Sequence, residues 1–259
     1  EVLNFSRQRI ANDYFSIIKK KFLSNQKVPL IKSSRLKKFN NKKPKIIHLI
    51  TGLERGGAER FLYNLINNGL NEKFDNSVIS LMSEGYYGSL LKKKKIPVFS
   101  LNLNRGQFNF FAVKRLRKIL IEQKPDIVQG WMYHGNLAAL LGTVMLKRKI
   151  KLSWTIRLSL EIFEIMKFKT RSAIKLGSYL SRIPDLIIYN SIRSLNQHRD
   201  IGFNKNKDFF IPNGFDTIAW KPDNKIRHIV RDSLGIPKTT KLIGYIGRGD
   251  DQKDIPTLF

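Results

Sequence analysis

The run Thr51-Gly-Leu-Glu-Arg-Gly-Gly-Ala-Glu-Arg60 sets a glycine pair between an apolar segment and a helix pattern. At a helix start, Gly56 and Gly57 let backbone N–H groups come close to an anion, which suits a phosphate or a sugar beside one. The same residues also form a tight turn in which Glu59 is an acidic first-turn residue favoured by the helix dipole. His134 follows an apolar run and stands beside Gly135 and Asn136. By its position it reads as a structural histidine near a helix start. Arg157 ends another apolar run, where it meets a phosphate or is a helix-capping or surface arginine. Asn213-Gly214 suits a turn between domains. Arg248 and Lys253 are cations in a Gly- and Asp-rich segment. His48 falls within an apolar run and reads as core, whereas His198 and His228 lie on polar helix patterns and read as surface. The four histidines lack the His-x-x-x-His spacing of a metal pair.

Such residues need elements to hold them, and the pattern supplies these by alternation. Strands are expected at 45–51, 78–82, 97–102, 126–131, 151–157, 186–190 and 208–211. Helices are expected at 58–70, 89–95, 110–123, 136–147, 171–181 and 191–200, the last capped by Ser191. Strands alternating with helices build βαβ units, hence a parallel sheet covered on both faces and wound in the Rossmann manner. Ligands of such sheets bind beyond the carboxyl ends of the strands. Residues 212–222 are rich in turn formers. A short helix at 226–234 and a strand at 241–247 then open a second α/β domain, which is read as truncated.

The chain has 259 residues, 42% of them hydrophobic and 26% charged, which are globular values. Cysteine is absent, excluding disulfides, thiol nucleophiles and Cys-ligated metals. No apolar run has the ~18 residues of a membrane span, and no signal peptide is visible, so a cytoplasmic location is expected. The net charge of +28 attracts polyanions, whether nucleic acid, anionic lipid or phosphorylated substrates. Residues 1–44 are basic. Ile10 to Phe22 form an amphipathic stretch, and 27–43 a linker, so the segment is read as an N-terminal extension. Its stretch 10–22 is a candidate for lying in a membrane interface. The first residue is Glu1 rather than Met, so a missing start is expected.

The Gly-Gly-Ala-Glu loop after a first strand resembles the N-terminal domain of family 4 glycosyltransferases of the GT-B fold. So do Pro125-Asp-Ile-Val-Gln-Gly-Trp-Met-Tyr-His-Gly-Asn136, Trp154-Thr-Ile-Arg157, Asn190-Ser191 and Ile211-Pro-Asn-Gly-Phe-Asp216. Ile243-Gly-Tyr-Ile-Gly-Arg-Gly-Asp-Asp-Gln-Lys-Asp254 resembles the loop that opens the donor domain. The motifs stand in the family's order across residues 45–259, in the manner of its polysaccharide and O-antigen members.

The resemblance implies a Rossmann-like N-terminal acceptor domain at 45–215 and the truncated start of a nucleotide-sugar domain at 216–259. It implies retaining sugar transfer from a nucleotide sugar to a glycan or lipid-linked acceptor, without a metal. No Asp-x-Asp cluster sits on a convincing strand end, in keeping with that. By the same resemblance Arg248 and Lys253, with Gly56 and Gly57, hold the donor diphosphate, and His134 faces the donor sugar. Glu59, Arg157 and Asn213 are the candidates for acceptor contacts. Gly249, Asp250 and Asp251 depart from the family's bulky residue and Asp-Pro after the arginine. The family's Glu-x7-Glu motif would lie beyond Phe259, so transfer by these residues alone is not expected.

The basic domain suits the inner face of an anionic membrane, each surface Lys adding up to ~1 kcal/mol. Residues 7–16 also resemble the closing helix of another glycosyltransferase. Two other readings stand beside this one. A non-catalytic domain would bind an acceptor or a partner without transfer. A nucleic-acid-binding protein would use the charge, but the Lys clusters are not interleaved with aromatics and no RRM, KH or zinc-finger pattern occurs, so no nucleic-acid partner is expected.

Overall fold

The computed structural model describes residues 6–23, 43–104, 110–144, 146, 148–247 and 255–258. The chain forms two units, residues 1–214 and 215–259.

The first unit is a doubly wound α/β domain. Its seven strands are β1 (Lys45–Ile50), β2 (Asp75–Ser80), β3 (Val98–Ser100), β4 (Ile127–Trp131), β5 (Lys151–Ile156), β6 (Leu186–Tyr189) and β7 (Asp208–Phe210). All pair in parallel, in the order β3-β2-β1-β4-β5-β6-β7. The central strands are buried on both faces, which is why they read as near-continuous apolar runs. The strand order reverses between β1 and β4, and ligands of open α/β sheets bind at such a switch point.

Helices α1 (Arg7–Ile18), α2 (Gly57–Leu65), α3 (Asn71–Lys73) and α4 (Gly85–Lys93) precede β3, and α5 (Phe110–Gln123) follows it. Then come α6 (Met132–Thr143), α7 (Phe168–Leu180) and α8 (Ile192–Asp200). Side chains of α1, α2 and α4 join one hydrophobic cluster, and those of α5 to α8 the other.

Within residues 1–44, read as an extension, residues 6–23 pack on the sheet, mostly as helix α1. Ser6 caps it, its Oγ accepting from Arg9 N–H at 3.3 Å. Ile10, Ala11, Tyr14 and Ile18 are buried, with Phe22, against Ile46, Ile50, Leu62 and Trp131. The amphipathic face therefore covers the sheet and is not free for a membrane interface. The linker read at 27–43 lies, up to residue 42, outside the described residues.

Helix α6 begins four residues earlier than its sequence pattern suggests. Its first turn presses on two strands, because a Cβ at Gly135 would meet Leu49 O of β1 at 2.7 Å. A Cβ at Gly130 would meet the Asn136 Cα at 2.5 Å. Only glycine permits this approach, so His134 is fixed on a helix and not in a loop.

His198 is also corrected, being fully buried and not on the surface. Its Nδ1–H donates to Ser194 O at 2.7 Å, which leaves Nε2 to accept from the Tyr133 hydroxyl at 2.9 Å. Burial pushes its pKa down to about 4. His48 is core as expected. It accepts at Nδ1 from Trp131 Nε1–H at 3.2 Å and donates from Nε2 to Asn76 Oδ1 at 3.0 Å. Burial lowers it to about 4 as well.

In the second unit, α9 (Asn224–Ser233) is capped by Asp223, whose carboxylate accepts from Lys225 N–H at 2.9 Å and Ile226 N–H at 3.0 Å. A last turn, α10, spans Ile255–Leu258. The strand expected at 241–247 does not form. Ile243 and Ile246 are solvent-exposed there, and no strand of this unit is present among the described residues to pair with it.

The two buried histidines make the fold acid-sensitive. Their folded pKa values lie near 4 and the unfolded ones near 6.5. Between these values the unfolded chain binds protons that the folded chain refuses. Stability is therefore full above pH 6.5 and falls as the pH drops towards 4. Urea midpoints at pH 7.0, 5.5 and 4.5 should decrease in that order. The His198→Gln variant should lose less across the range than the parent does.

Candidate active site at the strand ends

Because every strand is parallel, the segments after β1, β2, β4, β5 and β7 meet on one edge of the sheet. The segment after β1 leads into α2. Gly56 is its N-cap, with φ −151° and ψ 170°, and Arg60 N–H donates to Gly56 O at 3.0 Å. The Glu59 carboxylate folds back over Gly56, so a side chain at residue 56 would have to push it aside. Burial raises the Glu59 pKa, and a hydrogen bond from its own backbone N–H pulls partly against that. This carboxylate stands where the helix dipole favours an anion. A phosphate approaching Gly56 and Gly57 thus meets a resident negative charge.

Arg157 follows β5 and gathers a second group on the α1–α2 face. Its guanidinium lies over the Phe61 ring, 3.4 Å from the centroid. It donates to the Tyr14 hydroxyl at 3.5 Å and to Asn213 Oδ1. Burial lowers the Arg157 pKa, yet arginine stays charged in proteins. Burial likewise raises the Tyr14 hydroxyl, offset in part by the Arg157 charge. Among the described residues no carboxylate pairs with Arg157. A desolvated cation held by a ring face, a phenol and an amide retains capacity for an anion. The structure thus joins Arg157 to Asn213, as two of the three acceptor candidates. Tyr14 and Phe61 were not singled out in the sequence. The basic, amphipathic first segment was the available signal for Tyr14, and Phe61 carried only the α2 helix pattern.

His134 sits in the first turn of α6. Partial burial of the imidazole lowers its pKa, and the positive end of the helix dipole acts in the same direction. The ring is therefore neutral at pH 7. It lines a groove of about 970 Å³ between α6 and α7, together with Thr51 after β1, Leu81 and Met82 after β2, and Leu103 after β3. Asn136 ties the helix to β5, accepting from Thr155 N–H at 3.3 Å. His134 and Arg157 thus serve one edge from opposite faces of the sheet. Arg248 and Lys253 lie outside the described residues. Among the described residues, no group of three or more His, Cys, Asp or Glu could hold a metal ion, and no helix is long and apolar enough to cross a membrane.

A seven-stranded parallel sheet with its polar groups gathered at a β1/β4 switch point defines a Rossmann-type ligand-binding domain. The chain belongs to Glycosyltransferase Family 4, whose profile matches residues 55–218. The crystal structure of Anabaena HepE in complex with UDP-glucose is similar, with a TM-score of 0.57 and 23% identity over 74% of this chain and 50% of that one. Sucrose-phosphate synthase from Thermosynechococcus elongatus gives a TM-score of 0.61 at 12% identity, over 84% of this chain and 58% of that one. A glycosyltransferase from Rickettsia africae gives 0.52 at 15%, over 78% and 51%. These likenesses show the fold, and the chain spans about half the length of the solved structures it matches. No match was found among curated proteins.

If Arg157 is kept for a ligand and not for stability, removing its charge should cost the fold little. Replacing a buried ion pair with apolar residues of similar volume is often neutral, or stabilising by about 1–4 kcal/mol, and among the described residues Arg157 leaves no carboxylate stranded when it is replaced. The Arg157→Met variant should therefore match or exceed the parent in urea midpoint. A clear loss of stability would assign Arg157 to the architecture.

Proposed function

We propose that this chain is the acceptor side of a retaining glycosyltransferase that moves a sugar from a nucleotide sugar to a glycan or lipid-linked acceptor in cell-surface polysaccharide assembly. The observation that carries the reading is the family match over residues 55–218, which spans the Gly56–Gly57 loop, His134, Arg157 and Asn213. The UDP-glucose bound by Anabaena HepE supports a nucleotide sugar as donor. The net charge of +28 supports work at the anionic inner face of the membrane.

In this reading the acceptor oxygen bonds to the anomeric carbon as the bond to the diphosphate breaks, on the same face of the sugar. Negative charge grows on the leaving diphosphate. Arg248 and Lys253 would meet it as fixed cations, which stabilise the transition state more than the ground state. No metal ion is needed for that role. His134, neutral and aimed at the groove, accepts a hydrogen bond from a sugar hydroxyl and steadies the ring as positive charge develops. Arg157, with Asn213, holds an anionic part of the acceptor, and Glu59 accepts from acceptor hydroxyls. Gly56 and Gly57 add no side chains of their own at the α2 N-terminus, so the Glu59 carboxylate can lie over it.

The test uses the product of the complete reading frame with labelled UDP-glucose and other nucleotide sugars, on lipid extracts and on soluble glycans. Label should pass to one acceptor class, and EDTA should leave the rate unchanged. The His134→Ala variant should lose about 10²-fold in kcat, the scale of one well-placed hydrogen-bonding group, with an unchanged Tm. The wild-type rate should fall only in acid below the ordinary imidazole range, because burial holds His134 neutral there. Acceptor binding with no transfer from any donor would replace this reading with that of a binding domain.

A further inference from the structure

The groove beside His134 has a chemistry that sugars alone do not explain. Its walls are largely aliphatic, built by Leu103, Leu137, Leu141, Leu176 and Leu180. At about 970 Å³ it falls at the upper end of the roughly 300–1,000 Å³ usual for ligand pockets. Leu141 and Leu176 are 42% and 50% exposed, and Phe168 at the rim is 82% exposed. Apolar surface left open to water at a cleft marks a binding surface.

The polar part of the groove has one sign. Among the described residues no acidic side chain lines it, while Lys167 and Lys169 flank Phe168 at the start of α7. Among the described residues neither lysine pairs with a carboxylate, and the first turn of α7 contains no acid. Its N-cap, Lys167, makes no side-chain capping bond. An apolar groove flanked by two lysines complements a molecule that is hydrocarbon in one part and anionic in another.

We propose that the groove between α6 and α7 seats the hydrocarbon chain of a lipid phosphate, with Lys167 and Lys169 holding its phosphate. The inference rests on the glycosyltransferase reading and deepens it, since the lipid would be the carrier of the acceptor. The chain lies along α6 and α7, and its polar end is delivered to the strand edge where His134 stands. The Arg157 group, on the opposite face of the sheet, stays free for another part of the same acceptor.

Calorimetric titration of the 259-residue chain tests this without any donor. The probe is farnesyl phosphate below its micelle concentration. The comparators are farnesol, which lacks the phosphate, and dimethylallyl phosphate, which lacks the length. Farnesyl phosphate should bind at least about tenfold tighter than either, a difference of ~1.4 kcal/mol. Leu176→Glu is a change at a half-exposed wall position and should keep the parent's Tm. It should weaken farnesyl phosphate by about tenfold or more. Lys167→Ala with Lys169→Ala should reduce farnesyl phosphate to the affinity of farnesol. Equal binding of the three probes, or unchanged affinity in both variants, would overturn the proposal. Transfer to a soluble glycan by an enzyme whose groove ignores farnesyl phosphate would sink the groove alone. Binding as expected in a protein with no transferase activity would sink the enzymatic reading alone.

Discussion

The whole strand-end site depends on how closely α6 approaches the sheet. At Gly135 the helix meets the carbonyl of Leu49 at a distance that no side-chain carbon tolerates, and Gly130 gives way to Asn136 from the strand side. The contact fixes three things together. It closes the β1/β4 switch point from above, sets Tyr133 against His198, and holds His134 at the mouth of the α6–α7 groove. Met132, with φ +60°, turns the chain from strand into helix at the cost of a backbone conformation unusual for a side chain of its size. A strained residue between two obligatory glycines is a joint whose geometry the surrounding packing has to maintain.

Two buried imidazoles brace that joint, and their protons are assigned by their neighbours. His198 must donate from Nδ1 to a carbonyl, so Nε2 receives the Tyr133 hydroxyl. His48 must receive the indole N–H of Trp131, so Nε2 donates to Asn76. Each is therefore a neutral connector between elements far apart in sequence. Each links residues flanking the β4–α6 turn, Trp131 before it and Tyr133 after it, to a different partner. The acid sensitivity of the fold and the placement of His134 thus share one cause.

The fold was legible because parallel strands buried on both faces leave apolar runs that helices interrupt at regular spacing. Ile127–Trp131 and Lys151–Ile156 are such runs, and both form strands. What was not legible depends on tertiary context. His198 lies among Arg193, Asn196, Gln197 and Arg199, so composition assigned it to solvent. The Ser194–Leu195–His198 face nevertheless turns to the sheet, because a histidine with two partners can be buried neutral. Helix α1 showed its amphipathic pattern in the sequence, but the pattern alone does not say that its apolar face, Tyr14 included, meets the sheet and not a membrane. The 241–247 segment erred the other way. It has a strand's pattern, but a pattern without a partner gives exposed Ile243 and Ile246. In the site, Gly56, Gly57, His134, Arg157 and Asn213 were named from sequence. Their division between two faces of the sheet, and the closing of Glu59 over Gly56, emerge only in three dimensions.

That division bears on what the edge can bind. The α1–α2 face offers a desolvated arginine with an amide and a phenol, a setting for one compact anionic group. The α6–α7 face offers an aliphatic slot with lysines at its rim and a neutral imidazole on its lining. A small sugar would occupy one of these and leave the other idle. A molecule that is apolar at one end, charged in the middle and hydroxylated at the other would engage both across the strand ends. The closed carboxylate of Glu59 belongs in the same account. An acid over the α2 N-terminus disfavours a second anion there and favours a hydroxyl donor. On this face of the sheet the Arg157 guanidinium, and not the α2 N-terminus, is the cation an anionic group would meet.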